Sequence, residues 1–227
     1  MVIVFDLDNT LYDEKRHLLF AFKKISKYIH EKYRIDKDEI YYFLLEKIYE
    51  EDPTYPILSK LIKKYNLPSD ELNILLEIYY KAINIISLYK GITDLLKMLK
   101  EKETLVLLTD GNPELQKLKI DKLGIKHLFD EIIITDLQFG KVHRKPSPVP
   151  FIYIQEKYRD EKFIFVGDNI FKDFVSPNRL NWITVRIRKG LYSGFPNKLV
   201  PYDMRPRYTA VSTSHMIKIL RDSLMNI

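Results

Sequence analysis

Two aspartates near the start of the chain, Asp6 and Asp8, directly follow the apolar run Val2-Ile3-Val4-Phe5. Residues i and i+2 of an extended segment project to the same side, so the two carboxylates are expected to lie close together. Neighbouring carboxylates repel each other, and a cation, a shared proton or basic side chains must offset that repulsion. The pair therefore indicates metal or proton chemistry, although a strand end followed by a solvated turn would use the same residue types.

Three later apolar runs also end in hydroxyls or carboxylates. Runs of this length without alternation are typical of strands that are covered on both faces, as in parallel sheets. Ligands of an open parallel sheet bind beyond the carboxyl ends of its strands, so Thr109 and Asp168 are expected to lie near the aspartate pair. The runs 105–108, 132–134 and 163–166 lead into Thr109-Asp110-Gly111, Thr135-Asp136 and Gly167-Asp168, respectively.

Helical periodicity separates these runs, for example over residues 92–99 and 114–119. Strands that alternate with helices predict an α/β fold, here a Rossmann-like parallel sheet with helices on both faces. Further strands are predicted at 183–187 and 208–211, followed by a last helix at 214–225.

Residues 14–88 break this alternation. Their apolar residues recur at helical spacing, as in the stripe Leu18, Phe22, Ile25 and Ile29. We expect an all-helical cap of three or four helices, inserted into an α/β core made of residues 1–13 and 89–227. A cap that enters after the first strand would cover the crevice, exclude water and select the substrate. The nearest candidates for substrate contacts are Asp13, Arg16 and His17.

Composition narrows the possible chemistry. The chain has 227 residues and no cysteine, which excludes disulfides, thiolate zinc sites and a cysteine nucleophile. The remaining oxygen ligands favour a hard cation such as Mg²⁺. No apolar stretch approaches the roughly 20 residues that span a bilayer, and no signal segment is visible, so we expect a cytoplasmic protein without a membrane partner.

The net charge of +6 invites a nucleic-acid interpretation. The lysines, however, are spread over solvated helix faces and no nucleic-acid motif is visible, so we expect no nucleic-acid partner. A small anionic substrate would equally be attracted by a mild positive field. The oligomeric state is left open.

Four segments together resemble the motifs of haloacid dehalogenase-type (HAD) hydrolases that carry a helical cap after the first strand. Any one of these segments would be weak evidence, but all four occur in the family's order over most of the chain. They are Asp6-Leu7-Asp8-Asn9-Thr10 for the nucleophile motif, Thr109 for the hydroxyl motif, Lys145-Pro146 for the basic motif, and Gly167-Asp168-Asn169-Ile170-Phe171-Lys172-Asp173 for the acidic motif.

The resemblance implies a role for each carboxylate. Asp6 would attack phosphorus in line and form an aspartyl-phosphate intermediate. Asp8 would protonate the departing alkoxide and then accept a proton from the hydrolytic water. Mg²⁺ would be held by the Asp6 carboxylate, the main-chain carbonyl of Asp8, Asp168 and waters. Asp173 would orient Lys145 or a metal-bound water rather than bind the metal.

The resemblance also implies a phosphoryl-binding set. Thr109 would hydrogen-bond a phosphoryl oxygen together with Asp110 and Gly111, and Lys145 would neutralise the transferring group. Lys141 and Arg144 compete with Lys145 for this role by proximity in sequence, although the proline after Lys145 favours the latter.

The chain departs from the family pattern at two places. Many relatives carry Asn at the position of Asp110, which here adds a negative charge near an anion site unless the side chain turns away. After the acidic motif, Ser176 is expected to cap a short helix that has Pro177 at its first position.

The predicted function is hydrolysis of a small phosphate ester by a Mg²⁺-dependent phosphatase. The ester could be a sugar phosphate, a phosphoglycolate-like compound or a nucleoside monophosphate. Alternatives on the same fold are a phosphotransferase or mutase, a phosphonate-cleaving enzyme, a dehalogenase and a non-catalytic binding module. Dehalogenation is disfavoured because it needs no second carboxylate as a proton donor, so Asp8 would have no role. The complete set of motif residues argues against a non-catalytic module.

Overall fold

The computed structural model of the protein describes residues 1–49, 55–159 and 161–225. The chain divides into two compact units. A core unit consists of Met1–Glu14 and Ser87–Ile227, and a helical unit consists of Lys15–Ile86. Glu14, Ser87 and Leu88, which the sequence analysis assigned to the cap, thus lie in the core unit.

The core unit is built around a parallel sheet. Every pair of neighbouring strands is parallel, and all residues of the two central strands are buried, so both faces of the sheet are covered. The α/β fold predicted from the sequence is confirmed. In the described residues the strands are β1 (Val2–Phe5), β2 (Thr104–Thr109), β3 (Glu131–Ile134), β4 (Phe163–Gly167), β5 (Ile183–Ile187) and β6 (Tyr208–Ala210), in the order β3-β2-β1-β4-β5-β6.

Ten α-helices and seven short 3-10 helices occur in the part of the chain that the structure describes. The first four α-helices are α1 (Glu14–Tyr33), α2 (Lys37–Glu46), α3 (Tyr55–Lys64) and α4 (Glu71–Lys81). The other six are α5 (Ile92–Lys100), α6 (Pro113–Leu123), α7 (Thr135–Gln138), α8 (Val149–Lys157), α9 (Val175–Arg179) and α10 (Thr213–Met225).

An aromatic cluster fills one side of the sheet. Phe163 of β4 stacks on Trp182 with their ring centroids 4.6 Å apart, and Phe151 of α8 contacts both Trp182 and Phe165 edge-on. Val2 and Val4 of β1 are fully buried in the same cluster, as the period of two along a strand requires. Burial of rings on this scale contributes strongly to the free energy of folding.

The helical unit has its own apolar core. The predicted stripe on α1, which includes Leu18, Phe22 and Ile29, is completely buried. Asp36 caps α2, because its Oδ1 atom accepts 2.9 Å hydrogen bonds from the amides of Asp38 and Glu39. No helix among the described residues is both long and apolar enough to cross a membrane.

The predicted N-cap at Ser176 is wrong. Helix α9 already begins at Val175, and the Ser176 hydroxyl donates a 2.5 Å hydrogen bond to the Pro146 carbonyl. A contact with a segment 30 residues away therefore takes the hydroxyl that a cap would have used.

Candidate active site

The carboxyl ends of β1 and β4 bring two aspartates together. Asp6 follows β1 and Asp168 follows β4, and the two strands are neighbours with Phe5 paired to Val166. The Asp6 amide donates a 2.9 Å hydrogen bond to the Val166 carbonyl, which extends the pairing beyond the strand. One carboxylate oxygen each of Asp6, Asp168 and Asp173 lie within 4.8 Å of one another. We call these three residues the acidic cluster.

Asp173 is anchored by the loop after β4. Its Oδ2 atom accepts hydrogen bonds from the main-chain amides of Asp168 at 3.1 Å and Asn169 at 2.8 Å. Gly167 permits this approach, because a Cβ atom at that position would lie 2.6 Å from Asp173 Oδ2. The Oδ1 atom of Asp173 lies 3.0 Å from the ammonium of Lys145. Asp173 therefore contacts both the loop and the lysine.

Lys145 is the basic residue that reaches the acidic cluster. Its buried ammonium lies 2.5 Å from Asp6 Oδ1. Burial disfavours the charged form, but the neighbouring carboxylates raise the pKa of Lys145 well above its ordinary value. The two competing basic residues lie elsewhere, since Lys141 is exposed and Arg144 pairs with Asp136 at 2.6 Å.

Asp6 has a partner on each oxygen. Besides the contact with Lys145, its Oδ2 atom accepts a 3.0 Å hydrogen bond from the Thr10 hydroxyl. Burial raises the pKa of Asp6 to about 6, although the Lys145 ammonium opposes this shift. The two contacts fix the direction of a carboxylate that is almost inaccessible to solvent.

The acidic cluster carries more negative charge than Lys145 can offset. Asp168 Oδ2 is buried and, within the described residues, accepts no hydrogen bond. Burial raises the pKa of Asp168 well above its ordinary value, and the carboxylates of Asp173 and Asp6 add to the effect. An unpartnered buried carboxylate oxygen calls for a cation. The oxygen-only donors of the cluster fit a hard divalent metal ion such as Mg²⁺.

The second carboxylate of the opening motif, Asp8, has a different set of partners. Its Oδ1 atom accepts hydrogen bonds from the Tyr12 hydroxyl and from Lys119, whose Nζ atom lies 2.7 Å away. Its Oδ2 atom accepts from Gln116 Nε2 at 3.0 Å. Burial would raise the pKa of Asp8, but the Lys119 ammonium and these hydrogen bonds lower it below its ordinary value. Asp6 and Asp8 thus face different lysines.

Thr109 ends β2, the other neighbour of β1. Its buried hydroxyl oxygen lies 2.5 Å from Gln116 Nε2. Gly111 follows two residues later with a φ of 125°, a left-handed conformation that favours glycine. Thr109 is therefore linked to Asp8 through Gln116, and it lies at the end of the strand that neighbours β1, the strand before Asp6.

Asp110 does not point at the acidic cluster as a free carboxylate. Its Oδ1 atom accepts hydrogen bonds from the Thr135 hydroxyl at 2.8 Å and the Lys145 amide at 3.2 Å, and its Oδ2 atom lies 3.2 Å from Lys172 Nζ. Burial would raise the pKa of Asp110, but Lys172 and Lys145 lower it. The extra charge relative to the family pattern is therefore compensated.

A family model of haloacid dehalogenase-like hydrolases matches residues 1–174 of this chain. The chain belongs to that family. Glyceraldehyde 3-phosphate phosphatases are similar over most of their length: the Pyrococcus furiosus enzyme is 29% identical over 85% of this chain and 82% of its own. The Methanocaldococcus jannaschii enzyme is 27% identical over 97% and 96%. A HAD phosphatase from Thermococcus onnurineus superposes with a TM-score of 0.67 at 22% identity, covering 96% of this chain and 97% of that one.

The family assignment and the phosphatase relatives agree with the sequence prediction. Membership confirms the resemblance drawn from the four motifs, and both findings support a phosphomonoesterase among the possible hydrolases. Hydrolases of this family generally use a divalent metal ion, which accords with the acidic cluster.

Three residues of this HAD hydrolase's site were missed by sequence reasoning. Gln116 and Lys119 lie three residues apart on α6, so they share one face of the helix, and both are buried. Glu14 accepts a 3.0 Å hydrogen bond from Lys119 and another from Asn9 Nδ2 at 3.2 Å. Burial, with Asp8 nearby, raises the pKa of Glu14 to about 7, although Lys119 opposes the shift. The sequence carries no signal that singles out Gln116 and Lys119, because Glu114 and Lys117 on the same helix are polar at the same spacing.

Arg186 in β5 holds the main chain of the loop that follows β4. The guanidinium is completely buried and donates to the Asp168 carbonyl from Nε at 3.1 Å. It also donates to the carbonyls of Tyr192 and Phe195 and to Asn197 Oδ1, all within 2.8 Å. Arg186 therefore fastens the main chain at Asp168 to the segment that follows β5.

His17, a candidate for substrate contact, is part of the helical unit's interior. It is fully buried, its Nε2 atom lies 3.0 Å from the Tyr79 carbonyl, and its ring packs edge-on against the Tyr79 ring. These contacts give His17 a packing role inside that unit.

Proposed function

We propose that this hydrolase is a Mg²⁺-dependent phosphomonoesterase that acts on a small phosphorylated metabolite through an aspartyl-phosphate. The observation that carries the proposal is the acidic cluster: an oriented, buried Asp6 beside Lys145, with an unpartnered Asp168 oxygen. The names of the relatives suggest a three-carbon sugar phosphate, glyceraldehyde 3-phosphate, as the first compound to test.

In the first half of the reaction, a carboxylate oxygen of Asp6 forms a bond to phosphorus while the bond from phosphorus to the ester oxygen breaks. Lys145 and Thr10 orient Asp6 for this attack. Asp8 gives its proton to the leaving oxygen, so the alcohol departs in neutral form.

In the second half, a water oxygen bonds to phosphorus and the bond to Asp6 breaks. Asp8 takes a proton from that water, which restores its acid form for the next turnover and releases inorganic phosphate. Thr109 donates a hydrogen bond to the phosphoryl group and Lys145 offsets its charge. At Asp110 and Gly111 we assign substrate contact to the main chain, because the Asp110 carboxylate is engaged by Thr135 and Lys172.

The metal ion would be held by the Asp6 and Asp168 carboxylates and by the main-chain carbonyl of Asp8. Once bound, it would offset the charge of the acidic cluster and polarise the phosphoryl group. Asp173, whose Oδ2 atom accepts from two amides and whose Oδ1 atom lies 3.0 Å from Lys145 Nζ, would act as an anchor rather than a metal ligand. Mg²⁺ is favoured over softer metals because every donor is an oxygen.

We further propose that the helical unit, Lys15–Ile86, acts as a cap that determines substrate choice. The helical unit is a separate compact body inserted between Glu14 and Ser87, both of which belong to the core unit. An insertion of this kind can vary in sequence without disturbing the strand ends that carry the chemistry.

The test is phosphate release from a panel of esters, with Mg²⁺ and with chelator. The panel contains glyceraldehyde 3-phosphate, other sugar phosphates, phosphoglycolate and nucleoside monophosphates, and Asp6→Asn is the inactive control. Chromatography of the products separates hydrolysis from transfer to a sugar hydroxyl, and a 2-haloacid tests dehalogenation. Turnover of any ester by Asp6→Asn, or halide release without phosphate release, would contradict the proposal.

A further inference from the structure

The Asp8 carboxylate lies in a cradle of three donors, which we define as Tyr12, Gln116 and Lys119. Both oxygens of Asp8 accept from this cradle. All three donors are almost completely buried, with at most 2% of each residue exposed. Burial of a lysine is costly unless it is paired, so the pairing with Asp8 is what keeps the Lys119 ammonium in this buried position.

Gln116 joins two functional groups through a single nitrogen atom. Its Nε2 atom lies 3.0 Å from Asp8 Oδ2 and 2.5 Å from Thr109 Oγ1. The carboxylate is an acceptor, so the side that faces it must be the amide nitrogen, whose two hydrogens suffice for both contacts. The spacing between the Thr109 hydroxyl and the Asp8 carboxylate is therefore set by one amide group.

Lys119 is held from both sides. Its ammonium contacts Asp8 at 2.7 Å and Glu14 at 3.0 Å, and Glu14 in turn accepts from Asn9. Asn9 packs closely against Gly190 in the segment after β5, since a Cβ atom added at Gly190 would lie 2.1 Å from the Asn9 Oδ1 atom. The lysine is therefore a fixed donor, unlike a surface lysine that samples many positions.

We propose that Gln116 and Lys119 are positioning residues for the second half of the phosphatase reaction. They hold Asp8 as the base that takes a proton from the water attacking phosphorylated Asp6. This inference rests on the function proposed above. In the step concerned, the water oxygen bonds to phosphorus, the bond from phosphorus to Asp6 breaks, and the water proton moves to Asp8.

The geometry favours this half of the reaction over the first. Three donors that converge on a carboxylate stabilise its ionised form, and only the ionised form can take a proton from the hydrolytic water. Loss of a cradle donor should leave Asp6 with its own partners, Lys145 and Thr10, so phosphorylation of Asp6 by an ester with a good leaving group should continue.

The experiment separates the two half-reactions with p-nitrophenyl phosphate under rapid mixing. Phosphorylation is followed by the release of p-nitrophenolate, and dephosphorylation by the decay of label on Asp6. Gln116→Met keeps the length of the side chain and removes both donors. We expect dephosphorylation to slow at least about tenfold while phosphorylation stays within about threefold, since general base catalysis contributes about 10²- to 10⁴-fold.

A second variant tests the lysine without changing the net charge of the group formed by Asp8, Glu14 and Lys119. Lys119→Met combined with Glu14→Gln removes one ammonium and one carboxylate together. It should show the same burst of p-nitrophenolate followed by slow turnover. Gln155→Met is the matched control for Gln116→Met. Gln155 lies in the same unit, and its Oε1 atom accepts a 2.7 Å hydrogen bond from Trp182 Nε1.

Equal slowing of both half-reactions, or unchanged dephosphorylation, would overturn the positioning role. If Gln116→Met fails to fold by circular dichroism, the double variant decides between these outcomes. Wild-type protein that never carries label on Asp6 would instead refute the proposed function, so the two failures are distinguishable.

Discussion

Asp110 and Lys172 form an ion pair, with Asp110 Oδ2 lying 3.2 Å from Lys172 Nζ. Lys172 belongs to the acidic motif and Asp110 follows the hydroxyl motif, so the pair ties together two segments that are 62 residues apart. The second oxygen of Asp110 holds Thr135 and the Lys145 amide. A carboxylate that would repel a phosphoryl group thus serves to join three segments around the site.

We predict that Asp110→Asn lowers the free energy of unfolding by about 1 to 3 kcal/mol near neutral pH, the usual cost of a lost buried charge-assisted hydrogen bond. An asparagine can still accept from Thr135, but its amide hydrogens would face the Lys172 ammonium. Urea unfolding in chelator measures the effect. The exposed Glu101→Gln variant should stay within about 0.5 kcal/mol of wild type.

The same pair should give a defined pH dependence. Neighbouring cations and donors lower the pKa of Asp110 in the folded protein below its ordinary value of 3.8. A lowered folded pKa means that the stabilisation is complete above the unfolded pKa and is lost as the pH falls through the folded pKa. The difference between wild type and Asp110→Asn should therefore be constant from about pH 7 to pH 5 and shrink below about pH 4. A difference that grows on acidification would contradict this account.

The strand ends could be predicted because their signals are local. Val2–Phe5 and the later apolar runs are too continuous for half-exposed strands, and parallel topology then places Asp6 and Asp168 at one edge. The observed strand bounds differ from the predicted ones by a residue or so.

The cradle residues could not be identified in the same way. On α6, Lys117 is exposed whereas Lys119 is buried between two carboxylates, yet the sequence gives both as ordinary helix lysines. Only the direction in which the helix packs distinguishes them, and that depends on tertiary contacts. The misplaced cap at Ser176 has the same origin, since its hydroxyl is taken by the distant Pro146 carbonyl.

Gly167→Ala should impair the site through Asp173. The added Cβ would lie 2.6 Å from Asp173 Oδ2 and 2.9 Å from a Phe165 ring carbon, and that oxygen is pinned by two amides. Displacing Asp173 moves the contact with Lys145, so we expect kcat to fall at least about tenfold and stability to fall by about 1 to 3 kcal/mol, as in other overpacked sites.

Gly194→Ala is the matched control for this substitution, because a Cβ atom built there has no heavy atom of the described residues within 4 Å apart from those of Gly194 itself and its chain neighbours. It should keep wild-type kcat and nearly wild-type stability. Wild-type kcat in Gly167→Ala would show that the position of Asp173 does not matter for turnover.

Metal binding should be visible in stability as well as in activity. Chelator should abolish phosphatase activity, Mg²⁺ should restore it, and Ca²⁺ should substitute poorly because its larger, looser shell places the Asp6 carboxylate differently. Mg²⁺ should also raise the Tm of wild type by mass action on the folded state. In Asp168→Asn this increase should disappear.

Asp168→Asn in chelator should melt at a higher temperature than wild type in chelator, because it removes a buried carboxylate that lies close to those of Asp6 and Asp173. Scanning calorimetry with and without Mg²⁺ measures both effects, with Glu101→Gln as the control. A variant that keeps the full Mg²⁺-dependent increase in Tm would remove Asp168 from the metal site.

Substitutions of the two aspartates in the opening motif, Asp6 and Asp8, should block different steps of the reaction. Asp6→Asn removes the atom that bonds to phosphorus, so no protein-bound phosphate should form with any ester. Asp8→Asn leaves Asp6 with Lys145 and Thr10, and a p-nitrophenolate leaving group needs little protonation, so the first half-reaction should survive. The second half-reaction loses its base, and phosphate should accumulate on Asp6 while steady-state turnover drops by about 10²-fold or more. Rapid quench followed by peptide mass mapping locates the phosphate. Label on Asp8 in wild type, or undiminished turnover by Asp6→Asn, would reverse the roles assigned to these two residues.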